Sequence, residues 1–308
     1  MLVTGAGGGS GLSSIRILKE TTGHFILGAD CNKYSTGLEL ADEKAVVPRA
    51  SSNEFVDSIK NIIKKYDIDA VLPNVDDELE VLCENRAALK QLIISPLETI
   101  QVCNDKRHTI SKLENAIPVP RLYGEDKLEN IVFPVIVKPR VSRGSRNIFK
   151  AETPSQLAAL RTYLDTLSLT EDKRIILEYL PGDEYTVDCV FDLSGDLIIA
   201  VPRKRIATNG SVCSIGKVEH NSQLVHFVEK ISKVLKFQGP INVQFRRDIN
   251  GKLKILEINP RIAGAVPITL KAGVNIPNLA LKIATRAQIK PSEISFNNTD
   301  VFRYLTEV

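Results

Sequence analysis

Several oxygen-bearing side chains fall together in the stretch INVQFRRDINGKLKILEINPR, residues 241–261. Asn250-Gly251 in its middle is a strong signal for a two-residue hairpin turn. Counting outward from that turn sets Gln244 opposite Glu257 and Asn242 opposite Asn259, with Val243, Phe245, Leu256 and Ile258 on the other face. A carboxylate and amide oxygens on one sheet face, with Arg246 and Arg261 nearby, suit a hard divalent cation that bridges to phosphates. The bland alternative is a solvated hairpin face.

A second chemical signal is Lys138 inside PVIVKPR, an apolar strand where a solvated charge is unusual. A third is the opening Thr4-Gly5-Ala6-Gly7-Gly8-Gly9-Ser10-Gly11, a strand-to-helix turn whose N–H groups and helix dipole suit an anion. The strict dinucleotide fingerprint fails there, because Ser10 stands where the third glycine belongs. The looser glycine pattern of short-chain dehydrogenases is matched, and Tyr123 and Lys127 supply their Y-x-x-x-K spacing. An NAD(P) enzyme is nevertheless disfavoured, since Pro118, Pro120 and Gly124 interrupt the helix that must carry that pair. Asp30 keeps the question open, because it ends the second strand where such enzymes place a ribose-binding acid.

These groups need elements to hold them. Over residues 1–100, apolar runs alternate with helical periodicity, which predicts a parallel sheet wrapped by helices. The helices are expected at Ser10–Glu20, Glu54–Tyr66 and Asp77–Leu92, and the last strand at Ile93–Ser95. Beyond Pro96 the runs VFPVIVKPR, RIILEYL, EYTVDCVFD and DLIIAVPRKRI read as a mostly antiparallel sheet. Two helices lie between them, opening on caps at Thr153 and Asn221. Ligands of the parallel sheet belong at its carboxyl ends, where the turn from Gly5 to Gly11, Asp30 and the segment from Asp76 to Glu78 lie, with Gly7, Gly8, Asp77 and Glu78 the expected substrate residues.

Composition excludes several classes. The formal net charge of +3 gives no field for nucleic acid or an anionic membrane. Five cysteines without a C-x-x-C argue against a disulfide framework and structural zinc, so a cytoplasmic protein is expected. No apolar run reaches membrane-spanning length, and the first residues lack the basic and cleavage features of a signal peptide. The four histidines share no metal-ligand spacing, and no Ser-His-Asp or Cys-His set stands out.

The ordered series CNDK, VIVKPRVSRGSRNI, ILEYLPGDEYTVD, INVQF and LEINPR resembles the ATP-grasp superfamily, above all single units like half of the carbamoyl-phosphate synthase large chain. That resemblance implies an α/β chain: a Rossmann-like domain at 1–100, then a two-lobed α+β ATP-grasp domain at 101–308, with a small ATP-covering lobe at about 107–182. It further implies that Lys106, Lys138 and Arg140 hold the ATP phosphates. Glu178 would accept from the adenine amino group while the backbone at Tyr179 and Leu180 reads the ring edge, and Glu184 would accept from the ribose. Gln244, Glu257 and Asn259 would bind magnesium, or manganese in its place, and Arg261 would face the transferring phosphoryl group. The glycine turn would then shape the acceptor site rather than bind a dinucleotide.

The implied activity is a ligase that activates a carboxylate as an acyl phosphate and joins it to an amine. The alternative is a synthase-like component that phosphorylates bicarbonate or carbamate. Gln244 points toward the latter, since many of the ligases carry a carboxylate there. Strand alternation puts Arg203 and Arg205 on one face, where a guanidinium can hold an acceptor carboxylate, or else both are a solvated strand end. Small-molecule partners are expected, and a homodimer is the prior for an enzyme of this size.

Overall fold

The computed structural model describes residues 1–124, 128–142, 144, 146–210, 212–304 and 306. Lys127 of the Y-x-x-x-K reading, and residues 143 and 145 of the arginine-rich loop, lie outside them.

The first unit runs β1 (Leu2–Thr4), α1 (Gly9–Thr21), β2 (Leu27–Asp30), α2 (Thr36–Leu40), β3 (Glu43–Val46), α3 (Phe55–Tyr66), β4 (Val71–Leu72) and α4 (Asp76–Glu84). Its strands pair in the order β3-β2-β1-β4, all parallel. The β1–α1 turn needs its glycines for steric reasons. Gly5 adopts φ +63°, and a Cβ on Gly11 would meet Gly5 O at 2.1 Å. The helix expected to run to Leu92 ends at Glu84, where Asn85 Nδ2 donates to Val81 O and the chain continues as turns. The strand expected at 93–95 is reduced to a single bridge between Val71 and Leu92.

Two short helices that periodicity did not reveal follow, α5 (Leu97–Asn104) and α6 (Lys106–Leu113). Lys106 therefore begins a helix. Asp105 caps α6, accepting from Arg107 N and His108 N.

The remaining strands form two antiparallel sheets rather than one. The smaller is built from β5 (Leu122–Tyr123), β6 (Val135–Pro139), β7 (Phe149–Ala151) and β8 (Arg174–Glu178), with α7 (Pro154–Thr166) before β8. The larger contains β9 (Glu184–Phe191), β10 (Leu197–Asn209), β11 (Val212–Val218), β12 (Gly239–Arg247), β13 (Leu253–Asn259) and β14 (Thr299–Phe302). Helix α8 (Ser222–Val234) precedes β12, and α9 (Val266–Lys271) and α10 (Ile276–Ala284) precede β14. The strand order is β13-β12-β9-β10-β11-β14.

The core distribution ties these parts together unequally. Val3, Ile15 and Leu18 of the parallel unit share one core with Val201, Ile262 and Ile268 beside the large sheet. Tyr185, Val187 and Phe191 cover the opposite face of the large sheet with Phe227 and Ile231 of α8. The small sheet packs Val135, Val137 and Ile176 against Leu157 and Leu164 of α7, in a core of its own.

The β12–β13 hairpin reaches the expected register by a different route. Arg247 pairs with Leu253 and Phe245 with Ile255, but Gln244 pairs with Glu257. The turn therefore spans Asp248 to Lys252, and Leu256 is the extra residue of a β-bulge that restores the anticipated pairing. Leu256 is half-buried as a result, and Ile255 takes the core position expected of it.

Candidate active site

Strand alternation on β9 sends Tyr185, Val187 and Cys189 into the core and Glu184, Thr186 and Asp188 to the other face. Cross-strand pairing extends that polar face in rows. Arg203, Thr186, Gln244 and Glu257 form one row, and Asp188, Asn242 and Asn259 form the next. All of these but Asp188 floor a cavity of about 500 Å³ whose walls include Gly8 and Gly9 at the start of α1, Lys106, Arg205 and Arg261.

Hydrogen bonds fix the oxygens of this floor. Asn259 Nδ2 donates to Asn242 Oδ1 and to Glu257 Oε1, both at 3.1 Å. That orientation, assigned from the network, leaves Asn259 Oδ1 and Glu257 Oε2 for another partner. With Gln244 they make a hard-oxygen donor set of one carboxylate and two amides, which fits magnesium, an ion that keeps several waters and shares phosphate oxygens.

Two buried lysines lie close to the floor, of which Lys106 lines the cavity and Lys138 does not. Lys106 Nζ donates to Ser142 O at 3.0 Å and Ser142 Oγ at 3.2 Å. Burial pulls its pKa down, against the pull of Glu257 and Asp76. Lys138, on β6, is 7 % exposed. Burial brings its pKa down to about 8, opposed by Glu257 and reinforced by Lys106.

Arg261 is aimed by the parallel unit. Its Nε donates to Asp76 Oδ1 at 2.8 Å and its Nη2 to Asp76 Oδ2 at 2.9 Å, a two-point pair that spans the boundary between the units. Ser10 Oγ lies 2.6 Å from Asn74 Oδ1 and 2.7 Å from Ile262 O, and Ser13 Oγ donates to Gly264 O. The glycine turn is thus pinned against the loop that follows β13.

Not every anticipated residue reaches this cavity. Arg140, expected at the phosphates, instead pairs with Asp105 through Nε and Nη2 and donates to Asp172 O. It braces the cap of α6, and with it Lys106. Burial would raise the Asp105 pKa, but the Arg140 bond and the capping N–H groups outweigh it and hold the carboxyl below its usual range. Glu178 and Tyr179 line a separate cleft of about 1030 Å³, and Leu180 is buried. The Glu178 carboxylate accepts from Lys254 Nζ at 2.7 Å on each oxygen and from Arg121 N at 3.0 Å. An adenine amino group would have to compete with Lys254 for it.

Glu184 lines the main cavity and pairs with Arg205 at 3.2 Å. Gly7 N donates to Asp30 Oδ2, and Gly7, Asp77 and Glu78 are not among the residues lining the cavity. Glu78 is buried beneath the turn, where it accepts from Thr4 Oγ1, and burial raises its pKa to about 7. Sequence reading passed over Asp188 and Thr186, although E-Y-T-V-D carried the signal as polar residues at period two between apolar ones.

Residues 170–305 match the family described as "ATP-grasp in the biosynthetic pathway with Ter operon", and residues 1–97 match the PylC-like N-terminal domain. The chain carries an ATP-grasp domain. Beyond that ATP-grasp match, it is 26% identical over 257 residues to the carbamoyl phosphate synthase large chain of Clostridium acetobutylicum, covering 77% of this chain and 24% of that protein. It therefore spans about a quarter of that curated relative. Among solved structures, a biotin carboxylase from Campylobacter jejuni, described as a β,γ-ATP complex, superposes with TM-score 0.76 at 19% identity, covering 96% of this chain and 73% of that one. An L-amino acid ligase from Bacillus licheniformis superposes with TM-score 0.72 at 16% identity, covering 96% and 77%. These likenesses show that the chain shares the fold of those structures over nearly its whole length. No helix among the described residues is long and apolar enough to cross a membrane.

Proposed function

We propose that the chain is an ATP-dependent ligase that activates a carboxylate as an acyl phosphate and joins it to an amine. One observation carries the reading: Lys106, the Gln244–Glu257–Asn259 oxygens and Arg261 converge around one cavity, and buried Lys138 lies behind its lining, close enough to interact with Glu257, Lys106 and Glu184. Such a site needs no protein nucleophile, because phosphoryl transfer is driven by positioning and charge neutralisation.

In this reading the two lysines hold the ATP phosphates and Arg261 faces the transferring group, while Glu184, oriented by Arg205, accepts from the ribose. The adenine edge meets the backbone at Tyr179 and Leu180. Gln244, Glu257 and Asn259 would hold magnesium, or manganese in its place, which would offset charge on the phosphates. Residues 1–100 shape the acceptor side, and the segment at about 107–182 is the ATP-covering lobe. A cytosolic homodimer fits the free cysteines and the size of the chain.

The likeness to the carbamoyl phosphate synthase large chain supports a second reading, in which bicarbonate or carbamate is the acceptor. Phosphate release from ATP separates the two. The ligase needs both a carboxylate and an amine for turnover, whereas turnover on bicarbonate alone selects the synthase-like reading.

A further inference from the structure

Two donors at the cavity are left over from the protein's own hydrogen bonds. Arg203 is 2 % exposed and Thr186 is 1 % exposed, and both line the cavity. Among the described residues, Arg203 Nη1 and Thr186 Oγ1 meet no hydrogen-bond partner. The rest of the Arg203 fork is committed. Its Nε donates to Asp188 Oδ2 at 2.9 Å and its Nη2 to Asp188 Oδ1 at 3.3 Å, and Thr269 Oγ1 donates to the same carboxylate. Buried donors nearly always find an acceptor in native folds, so a pair of them lining a cavity points to an oxygen of a ligand.

The sheet places this pair. Asp188 and Thr186 lie on β9, and Arg203 leans across from β10 to meet Asp188, so both donors stand over β9. Gln244, the cross-strand neighbour of Thr186, lies on β12, one strand spacing of about 5 Å toward the metal-type oxygens. A carboxylate reacting beside Glu257 and Arg261 therefore leaves the Arg203–Thr186 pair to a different group of the same molecule. Asp188 already offsets the charge of Arg203, which suits a singly charged carboxylate better than a dianionic phosphate.

Resting on the ligase reading above, we propose that the acceptor is a dicarboxylate, with one carboxylate phosphorylated and the other held by Arg203 Nη1 and Thr186 Oγ1. In the reaction an oxygen of the first carboxylate bonds to the γ-phosphorus as the bond from that phosphorus to ADP breaks. The amine then bonds to the acyl carbon, inorganic phosphate leaves, and the amine proton passes to solvent. Bicarbonate has no second group to reach the pair.

The test uses the full chain with magnesium and ATP, hydroxylamine as the amine, and succinate, glutarate, butyrate or bicarbonate as acceptor, reading hydroxamate and ADP. Succinate or glutarate should yield hydroxamate and butyrate should not. Thr186→Val should raise the half-saturating dicarboxylate concentration about tenfold, as expected when a site loses one hydrogen bond to its ligand. It should leave the half-saturating ATP concentration and the melting temperature unchanged or the latter higher, which a merely structural threonine would not. Butyrate serving as well as the dicarboxylates, an unaltered dicarboxylate response in Thr186→Val, or nucleotide binding with no hydroxamate from either dicarboxylate would each overturn the proposal. Absence of magnesium-ATP binding by calorimetry would instead overturn the ligase reading itself.

Discussion

Lys138 has been made hard to charge by its burial, and ATP would reverse that. With a pKa of about 8 in the folded chain against about 10.5 unfolded, the unfolded state binds more protons between those values. Stability contributed at this site therefore rises as pH climbs from 8 toward 10.5, while in the proposed function ATP affinity should fall, because the phosphates would need the ammonium. Calorimetry at pH 8.5 in buffers of different ionisation enthalpy should show proton uptake on ATP binding, and Lys138→Met should abolish that uptake. Glu78 behaves in the opposite sense. Its raised pKa of about 7 means the folded state holds a proton that the unfolded state has lost, so stability falls as pH rises from about 4.5 to 7. Glu78→Gln should raise the melting temperature at pH 8 and leave it nearly unchanged at pH 4. Lys138 was legible in sequence because its apolar neighbours announce burial. Arg140 and Glu178 were not, because the partners that claim them, Asp105 and Lys254, lie 35 and 76 residues away.

At the scale of elements, the hairpin shows how a correct register can follow from an incorrect turn. Asp248 Oδ1 accepts from Asn250 N and Lys252 N at 2.9 Å each, which builds the longer turn, and the bulge at Leu256 cancels the shift. The pairing was readable since only one register buries Val243 and Ile258 while gathering the polar residues. The bulge was not, because nothing local distinguishes Leu256 from Ile255. Gly251 adopts φ +79° with open space around it, so Gly251→Ala should cost roughly 1 kcal/mol through backbone strain alone, with nucleotide affinity unchanged in calorimetry. Helices α5 and α6 escaped notice because each has eight residues, too few for periodicity to stand out. The cap at Asp105 was the available signal, and it matters to the site. Asp105→Ala should cost about 1–2 kcal/mol from the lost cap, measured by urea unfolding, and also weaken ATP binding because α6 carries Lys106.

Across the whole molecule, the parallel unit and the large sheet share a core, whereas the small sheet is packed around its own. The other face of the small sheet rests on α6, where Ile175 and Leu177 pack on Ile110, while the Arg261–Asp76 pair and the Ser10 bonds hold the glycine turn and the large sheet together. The alternation of strands and helices revealed the parallel unit in sequence, but the split of the later strands into two sheets depends on long-range pairing. In the proposed function Glu257 would anchor a magnesium ion that links the large sheet to the ATP phosphates. Calorimetric titration of a non-hydrolysable ATP analogue, with and without magnesium, into wild type and Glu257→Gln tests it most directly. Magnesium should tighten binding to the wild type by about tenfold or more, equivalent to at least about 1.4 kcal/mol, and should leave the variant, at an unchanged melting temperature, without that gain. Equal magnesium-dependent tightening in both proteins would contradict the account.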